Sequence, residues 1–262
     1  MKRNILLLIS TVFILFSCSS NTEEVPQSVN ITLKFTHNWN GTPVTASDFN
    51  TIKFTNKNGE KISIERLRYV VSNITILPVD LSNTSLADGV LGFGVTRNFI
   101  NLKEKEGLSL ETFAFTGIKK IGFRFGFSDF ENNDGIYQDL NSANFNVPAM
   151  LGGGYHYMQF DGKYLDTNNQ EQPFNYHAIR AIDKTVTPNI TKDTSFRVDL
   201  GEVNITGDAE IEIKMNIAQW FENPNTWDLN KLNTVLMPNY NAQLLISENG
   251  KSVFSLGKVT YK

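Results

Sequence analysis

Most of the chain alternates hydrophobic and polar residues with a period of two. In residues 29–36, Val, Ile, Leu and Phe alternate with Asn, Thr and Lys, and residues 121–127 and 210–217 show the same pattern. Successive side chains of a β-strand point to opposite faces, so the alternation predicts strands with one buried face. Further strands are predicted at 61–77, 98–102, 155–165, 174–182, 195–200, 242–247 and 253–261.

Turn signals separate these segments, and helical patterns are few. Asn-Gly and Asp-Gly pairs, which are typical of tight turns, occur at 40–41, 58–59, 134–135, 161–162 and 249–250. Short helices are predicted only at 218–221 and 229–237. No repeat or shift in composition divides the chain after residue 28. Residues 29–262 are therefore predicted to form one all-β, antiparallel sandwich-like domain of about ten strands with one or two short helices.

The N-terminus has the features of a bacterial lipoprotein leader. Two basic residues precede an apolar run that ends at Cys18, and residues 15–18 (Leu-Phe-Ser-Cys) resemble a lipobox. The pattern predicts a signal peptide at 1–17, a lipid anchor on Cys18, and a flexible polar tether at 18–28. Cys18 is also the only cysteine of the chain. We therefore expect a lipid-anchored protein of the outer membrane or periplasm, with exposure at the cell surface left open.

The charge balance argues against a nucleic-acid partner. The 262 residues include 24 lysines and arginines and 27 aspartates and glutamates, which gives a formal net charge of −3. Removal of Lys2 and Arg3 with the leader makes the mature chain more acidic still. Because proteins that bind polyanions usually present a basic surface, no nucleic-acid binding is expected.

Sequence motifs of common enzyme classes are absent. The chain has no Gly-x-Ser-x-Gly, no P-loop lysine after the glycines at 152–154, and no His-Glu-x-x-His. Residues 129–135 are rich in oxygen ligands, but their spacing does not fit an EF-hand loop, so a polar turn is the preferred interpretation. The sequence therefore favours a binding protein over an enzyme.

The three histidines, His37, His156 and His177, are the most informative candidates for chemistry. Strand alternation predicts that His156 and Met158 share one face of a strand. An imidazole beside a thioether is a donor pair that suits copper, and Cu(I) especially. This arrangement indicates a copper site near residue 156.

His177 lies on the next predicted strand, so strand pairing decides whether it can join His156. If the loop joins Leu165 directly to Phe174, the two histidines share a face but lie six residues apart, about 20 Å at 3.3 Å per residue. One metal ion cannot bridge that distance. Another register, supplied by a bulge or by a bend at Gly162, places them opposite each other. Local physics leaves both registers open.

Several stretches of the chain resemble the MbnP-like family of secreted, copper-associated proteins. The more specific ones are 67–74, which reads Leu-Arg-Tyr-Val-Val-Ser-Asn-Ile, and 152–158, which reads Gly-Gly-Gly-Tyr-His-Tyr-Met. Less specific similarity is found at 35–41, 121–126 and 175–177. The resemblance extends from about Val29 to the C-terminus. It implies a β-rich periplasmic or surface domain that binds copper, with histidine ligands at His156 and His177.

One position departs from the pattern of the better-studied members of this family. Those members have a tryptophan two residues before the first histidine, and a di-haem partner oxidises it to kynurenine. This chain has Gly154 at that position. The kynurenine chemistry and a di-haem, peroxidase-like partner are therefore left open, and no haem is expected in this chain itself.

The favoured function is copper binding by a non-catalytic envelope lipoprotein. His156 and His177 are the expected imidazole ligands, with Met158 or His37 completing the ligand set. The role would be to capture, store or deliver copper.

The alternative is a metal-free lipoprotein that binds a ligand or another protein. It would use exposed aromatic residues such as Trp220 and Trp227. For these two tryptophans, packing as a cap over the sandwich is the preferred interpretation.

Overall fold

The structure is a computed structural model that describes residues 25–79 and 97–262. The predicted signal peptide, Cys18 and most of the predicted tether lie outside these ranges. Within the described residues, no helix has the length and apolar character needed to cross a membrane.

The described chain is built mainly of β-strands. In chain order they are β1 (Ser28–Trp39), β2 (Thr42–Pro43), β3 (Phe54–Thr55), β4 (Lys61–Ile62), β5 (Arg66–Pro78), β6 (Arg97–Asn101), β7 (Ser109–Phe115), β8 (Gly117–Phe125), β9 (Met158–Leu165), β10 (Glu171–Ala178), β11 (Ala181–Asp183), β12 (Ile190–Lys192), β13 (Phe196–Ile205), β14 (Ala209–Asn216) and β15 (Phe254–Tyr261). The α-helices are α1 (Gln138–Ser142) and α2 (Tyr240–Gly250), and short 3-10 helices are Ala46–Asp48, Ala149–Leu151 and Ile217–Phe221.

The described strands form two large sheets and one small ribbon. The first sheet has the order β15-β14-β1-β2, with β7 also paired to β1. The second has the order β13-β8-β5-β9-β4-β3, with β10 paired to β9 and β6 paired to β5. β11 and β12 form the ribbon. Described strand pairs are antiparallel, apart from the parallel pair β1 and β14.

The inner faces of the two sheets enclose the hydrophobic core. Ile31, Leu33 and Phe35 alternate along β1 and are buried. Phe35 meets Phe123 of the opposite sheet with ring centroids 6.4 Å apart. The prediction of an all-β sandwich is confirmed. Ten of the described strands have five or more residues, and the remaining ones are the short strands β2, β3 and β4 and the ribbon of β11 and β12.

The prediction was wrong for residues 242–247, which form part of α2 rather than a strand. A short apolar run fits a buried strand and a buried helix segment equally well, so the period alone does not decide. The deciding contact is a cap, because the Asn239 side chain accepts a hydrogen bond from the backbone N–H of Ala242.

The prediction was also wrong for residues 229–237, which form turns rather than a helix. Leu229 and Leu236 are both buried, and the turns bring each of them separately into the core. Trp227 Nε1 donates to the backbone oxygen of Leu232 at 2.7 Å and fixes the start of this segment. The predicted helix at 218–221 is confirmed as the 3-10 helix Ile217–Phe221.

Candidate metal centre

The register of the hairpin of β9 and β10 lies midway between the two registers considered from the sequence. Leu165 pairs with Glu171 instead of Phe174, so His177 faces Gln159. In this register His177 is three residues from the position of His156, and the separation of about 20 Å does not occur. The ring centroids of the two histidines are 5.2 Å apart, with the rings nearly perpendicular at 84°.

His156 reaches this face because the chain leaves strand geometry before β9 begins. On a regular strand His156 and Gln159, three residues apart, would point to opposite faces. Instead, the His156 backbone N–H donates to the backbone oxygen of Phe145 at 2.9 Å. The Gln159 side-chain nitrogen then lies 3.3 Å from His156 Nδ1, on the same face. The irregular backbone therefore brings His156 next to His177.

The structure places the other two expected ligands elsewhere. Met158 is fully buried in the hydrophobic core, on the inner face of the second sheet. The expectation that His156 and Met158 share a face assumed a regular strand through both residues, and that assumption is wrong. His37 lies on the inner face of β1, where its Nε2 is 3.1 Å from the Tyr69 hydroxyl. Neither residue has a described contact with the pair His156 and His177.

His177 is oriented by a carboxylate. Its Nε2 lies 2.7 Å from Oδ1 of Asp161 on the neighbouring strand. An ionised carboxylate only accepts hydrogen bonds, so Nε2 carries a proton, and in the neutral ring the lone pair is on Nδ1. His177 Nδ1 is buried and has no hydrogen-bond partner in the structure. A carboxylate that fixes the tautomer of a histidine in this way is typical of metal-ligating imidazoles.

His156 is oriented by a backbone carbonyl. Its Nδ1 lies 2.9 Å from the backbone oxygen of Phe145, which can only accept, so Nδ1 carries the proton. The lone pair is then on Nε2, and Nε2 lies 3.2 Å from Sδ of Met237. An imidazole nitrogen and a thioether sulfur therefore face each other with no proton between them.

Met237 was not among the candidates from the sequence. It lies 81 residues from His156, in a partly buried segment of turns. Gln243 of α2 holds that segment in place, since its side-chain nitrogen donates to the backbone oxygens of His177 at 2.9 Å and of Leu236 at 3.1 Å. Gln243 thus ties the residue before Met237 to the strand that carries His177. No local sequence pattern around Met237 signals this role.

The donor set fits a soft metal ion. Among the described residues, no group of three or more His, Cys, Asp or Glu side chains is arranged to hold a metal. The cluster of His156, His177 and Met237 has a different composition, namely two imidazole nitrogens and a thioether sulfur. A metal–nitrogen bond of about 2.0 Å and a metal–sulfur bond of about 2.3 Å together exceed the 3.2 Å between His156 Nε2 and Met237 Sδ. The unpartnered His177 Nδ1 would be the third donor to such an ion.

Burial and neighbouring groups set the protonation states of His156 and Asp161. Burial lowers the pKa of His156 to about 3, and the neighbouring His177 contributes to the shift. Burial opposes ionisation of Asp161, but hydrogen bonds from His177 and Asn175 and the charge of Arg66 hold the pKa of the carboxyl below its usual value. At neutral pH, His156 is therefore neutral and Asp161 is ionised.

Position 154 has no room for a side chain. Gly154 has φ of +76°, and a Cβ atom there would lie 2.5 Å from Oδ1 of Asn132. A tryptophan at this position is incompatible with the described backbone. The kynurenine chemistry that the resemblance raised therefore has no tryptophan at position 154 of this chain.

Trp220 and Trp227 do not form an exposed aromatic platform. Trp220 is 0% exposed and Trp227 is 2% exposed. Both pack against Tyr176, with ring centroids at 6.1 Å and 4.6 Å. The interpretation as packed residues is correct, and these two tryptophans are not available as a binding surface for the metal-free alternative.

Fold and cluster together define a class of protein: a two-sheet β-sandwich with paired imidazoles and a thioether on the outer face of one sheet. The family profile of MbnP matches residues 28–238, which is well over half of the chain. The chain therefore belongs to the MbnP family. A search of curated proteins finds no match.

A solved structure supports the fold. MbnP from Methylosinus trichosporium superposes with a TM-score of 0.52 and 11% sequence identity, over 88% of this chain and 99% of that chain. At this identity the likeness concerns the fold alone. His156, His177 and Met237 all lie inside the range that the family profile matches.

Proposed function

We propose that this protein is a lipid-anchored, non-catalytic envelope protein that binds copper and serves in its capture, storage or delivery. One observation carries the proposal. His156 Nε2 faces Met237 Sδ at 3.2 Å, and the His177 ring lies 5.2 Å from the His156 ring with its Nδ1 unpartnered. His156, His177 and Met237 would hold the ion, and the relation to the MbnP family supports copper as that ion.

The chemistry of the donors favours Cu(I). Neutral imidazoles and a thioether are soft or borderline ligands, and they bring no negative charge to offset a dication. The guanidinium of Arg68, held by Gln159 Oε1 at 2.6 Å, adds a positive charge near the cluster. The carboxylate of Asp161, bonded to His177, supplies a negative charge nearby, so the preference for Cu(I) depends on the softness of the donors.

A binding role fits the way the donors are held. Each imidazole has one nitrogen fixed by Asp161 or by the Phe145 carbonyl, so the protein sets both tautomers before an ion arrives.

Titration of the purified protein with Cu(I) in the presence of a competing chromogenic chelator tests the proposal. We expect stoichiometric binding of a single ion by the wild type and loss of that binding in the double variant His156→Ala/His177→Ala. Circular dichroism of the double variant serves as the fold control. Binding by the double variant as tight as that of the wild type would refute the site, and no binding by the wild type would refute the function.

The anchor is tested separately. Metabolic labelling with a radioactive fatty acid should label the wild type and not Cys18→Ser, and the variant should leave the membrane fraction. Protease treatment of intact cells then distinguishes surface exposure from a periplasmic location. Unchanged membrane association of Cys18→Ser would rule out the lipid anchor without affecting the copper site.

A further inference from the structure

The oxygen-rich run at 129–135 contacts the backbone that leads into His156. Asp134 Oδ1 accepts a hydrogen bond from the backbone N–H of Gly154 at 2.6 Å. Asn132 Oδ1 accepts one from the backbone N–H of Tyr155 at 2.7 Å. Two of the side-chain oxygens that suggested a cation site therefore accept hydrogen bonds from two consecutive backbone amides.

The glycines at 153 and 154 allow this close approach. Both have positive φ, +65° and +76°. A Cβ atom on Gly153 would lie 2.6 Å from Asp134 Oδ2, and one on Gly154 would lie 2.5 Å from Asn132 Oδ1. Glycine permits this backbone conformation but also loses the most conformational freedom on folding, so the segment needs external contacts to hold one conformation.

These contacts lie at the point where the chain departs from strand geometry. His156 follows directly after Tyr155, and a regular strand would turn its imidazole away from His177. The amide of Gly154 is held by a charged acceptor, and hydrogen bonds of that type are roughly twice as strong as neutral ones. Asn132 is 2% exposed, so its hydrogen bond to Tyr155 is shielded from water.

We infer that Asn132 and Asp134 are positioning residues for the imidazole of His156. They fix the backbone at Gly154 and Tyr155 and thereby hold His156 toward His177. The inference rests on the proposed function only for its effect on copper affinity. Its structural part concerns the metal-free protein and is measurable without any metal.

The copper experiment compares three variants of one exposed loop. Asp134→Ala removes the acceptor, Asp134→Asn keeps a neutral acceptor, and Asn133→Ala alters the residue between the two positioning residues, whose side chain bonds only to the Phe130 carbonyl. We expect Asp134→Ala to weaken Cu(I) binding about 10-fold, the lower end of the range for the loss of an orienting partner. Asp134→Asn and Asn133→Ala should stay within about 3-fold of the wild type, since both keep an acceptor at position 134.

The metal-free experiment follows the same variants by NMR. Asp134→Ala should speed hydrogen exchange of the Gly154 and Tyr155 amides and shift the His156 imidazole nitrogens, whereas Asn133→Ala should do neither. The inference is overturned if Asp134→Ala matches Asn133→Ala in exchange, imidazole shifts and affinity. If the wild type binds no copper but Asp134→Ala still moves the His156 signals, the proposed function fails and the positioning role stands.

Discussion

The histidines of this protein lie in two different environments, and the contrast between them separates a structural histidine from the proposed ligands. His37 lies between the sheets, where the Tyr69 hydroxyl occupies its Nε2 at 3.1 Å and the two rings pack edge to face at 5.8 Å. His156 and His177 lie on the outer face of the second sheet, where each has one nitrogen bonded and one nitrogen facing another donor or no partner.

Burial is common to both environments and does not distinguish them. Burial lowers the pKa of His37 and of His156 to the same value, about 3. The difference is in the partners. A tyrosine hydroxyl occupies Nε2 of His37, whereas a carboxylate and a carbonyl each bond one nitrogen of the outer pair and leave the other nitrogen available.

The largest expected effect is on copper affinity after substitution of one histidine from each environment. His177→Ala should weaken Cu(I) binding by more than the roughly 100-fold upper limit for the loss of an orienting partner, because it removes a ligand. His37→Gln should leave the affinity unchanged within about 3-fold and lower the stability instead, since it disturbs the core. Chelator competition and urea unfolding measure the two effects. An equal decrease in Cu(I) affinity in both variants would contradict different roles for the core histidine and the outer pair.

The next effect concerns the two methionines. Met237→Leu removes the sulfur from the outer cluster and should weaken Cu(I) binding by about 10-fold or more, while Met158→Leu in the core should not. Because leucine conserves volume, Met158→Leu should cost less than about 1.5 kcal/mol of stability. X-ray absorption at the copper edge provides a direct check, since the sulfur contribution should vanish only in Met237→Leu. Sulfur scattering that survives this substitution would exclude Met237 as a ligand.

A smaller effect is expected from the carboxylate that orients His177. Asp161→Asn replaces an ionic acceptor with an amide that can present either its oxygen or its nitrogen, and it should weaken copper binding about 10-fold. Glu171→Gln is the matched control, because Glu171 lies on the same hairpin and pairs only with exposed Lys163. Affinities that fall equally in the two variants would point to a general charge effect.

A separate effect, on stability rather than on copper affinity, is a pH dependence to which His37 contributes from the core. His37 titrates near 6.5 when unfolded, and its pKa in the folded protein is lowered to about 3. Between these values the unfolded chain binds more protons, so the free energy of unfolding decreases as the pH falls below about 6.5, by at most about 1.4 kcal/mol per pH unit from this residue. Urea unfolding of His37→Gln from pH 7 to pH 4 should show a shallower slope. An unchanged slope would contradict the burial of a titrating His37.

Period-two patterning predicted the fold well because the sandwich buries one face of each strand. Ile31, Leu33 and Phe35 face the core as their alternation indicates. The same patterning was wrong at residues 242–247, which form a helix that is capped by Asn239 and packed against the core. It also failed at His156, where the same rule would assign the wrong face.

For the site, the sequence alone identified the two histidines and the resemblance that links them to copper. Residue type and chemical softness are local properties, so they can be read from a single sequence. Three other features depend on contacts between distant segments. They are the pairing register of β9 and β10, the irregular backbone before β9, and the contact of Met237 with His156 across 81 residues. Only the tertiary structure decided them, because a shift of one residue reverses the face of every side chain on a strand.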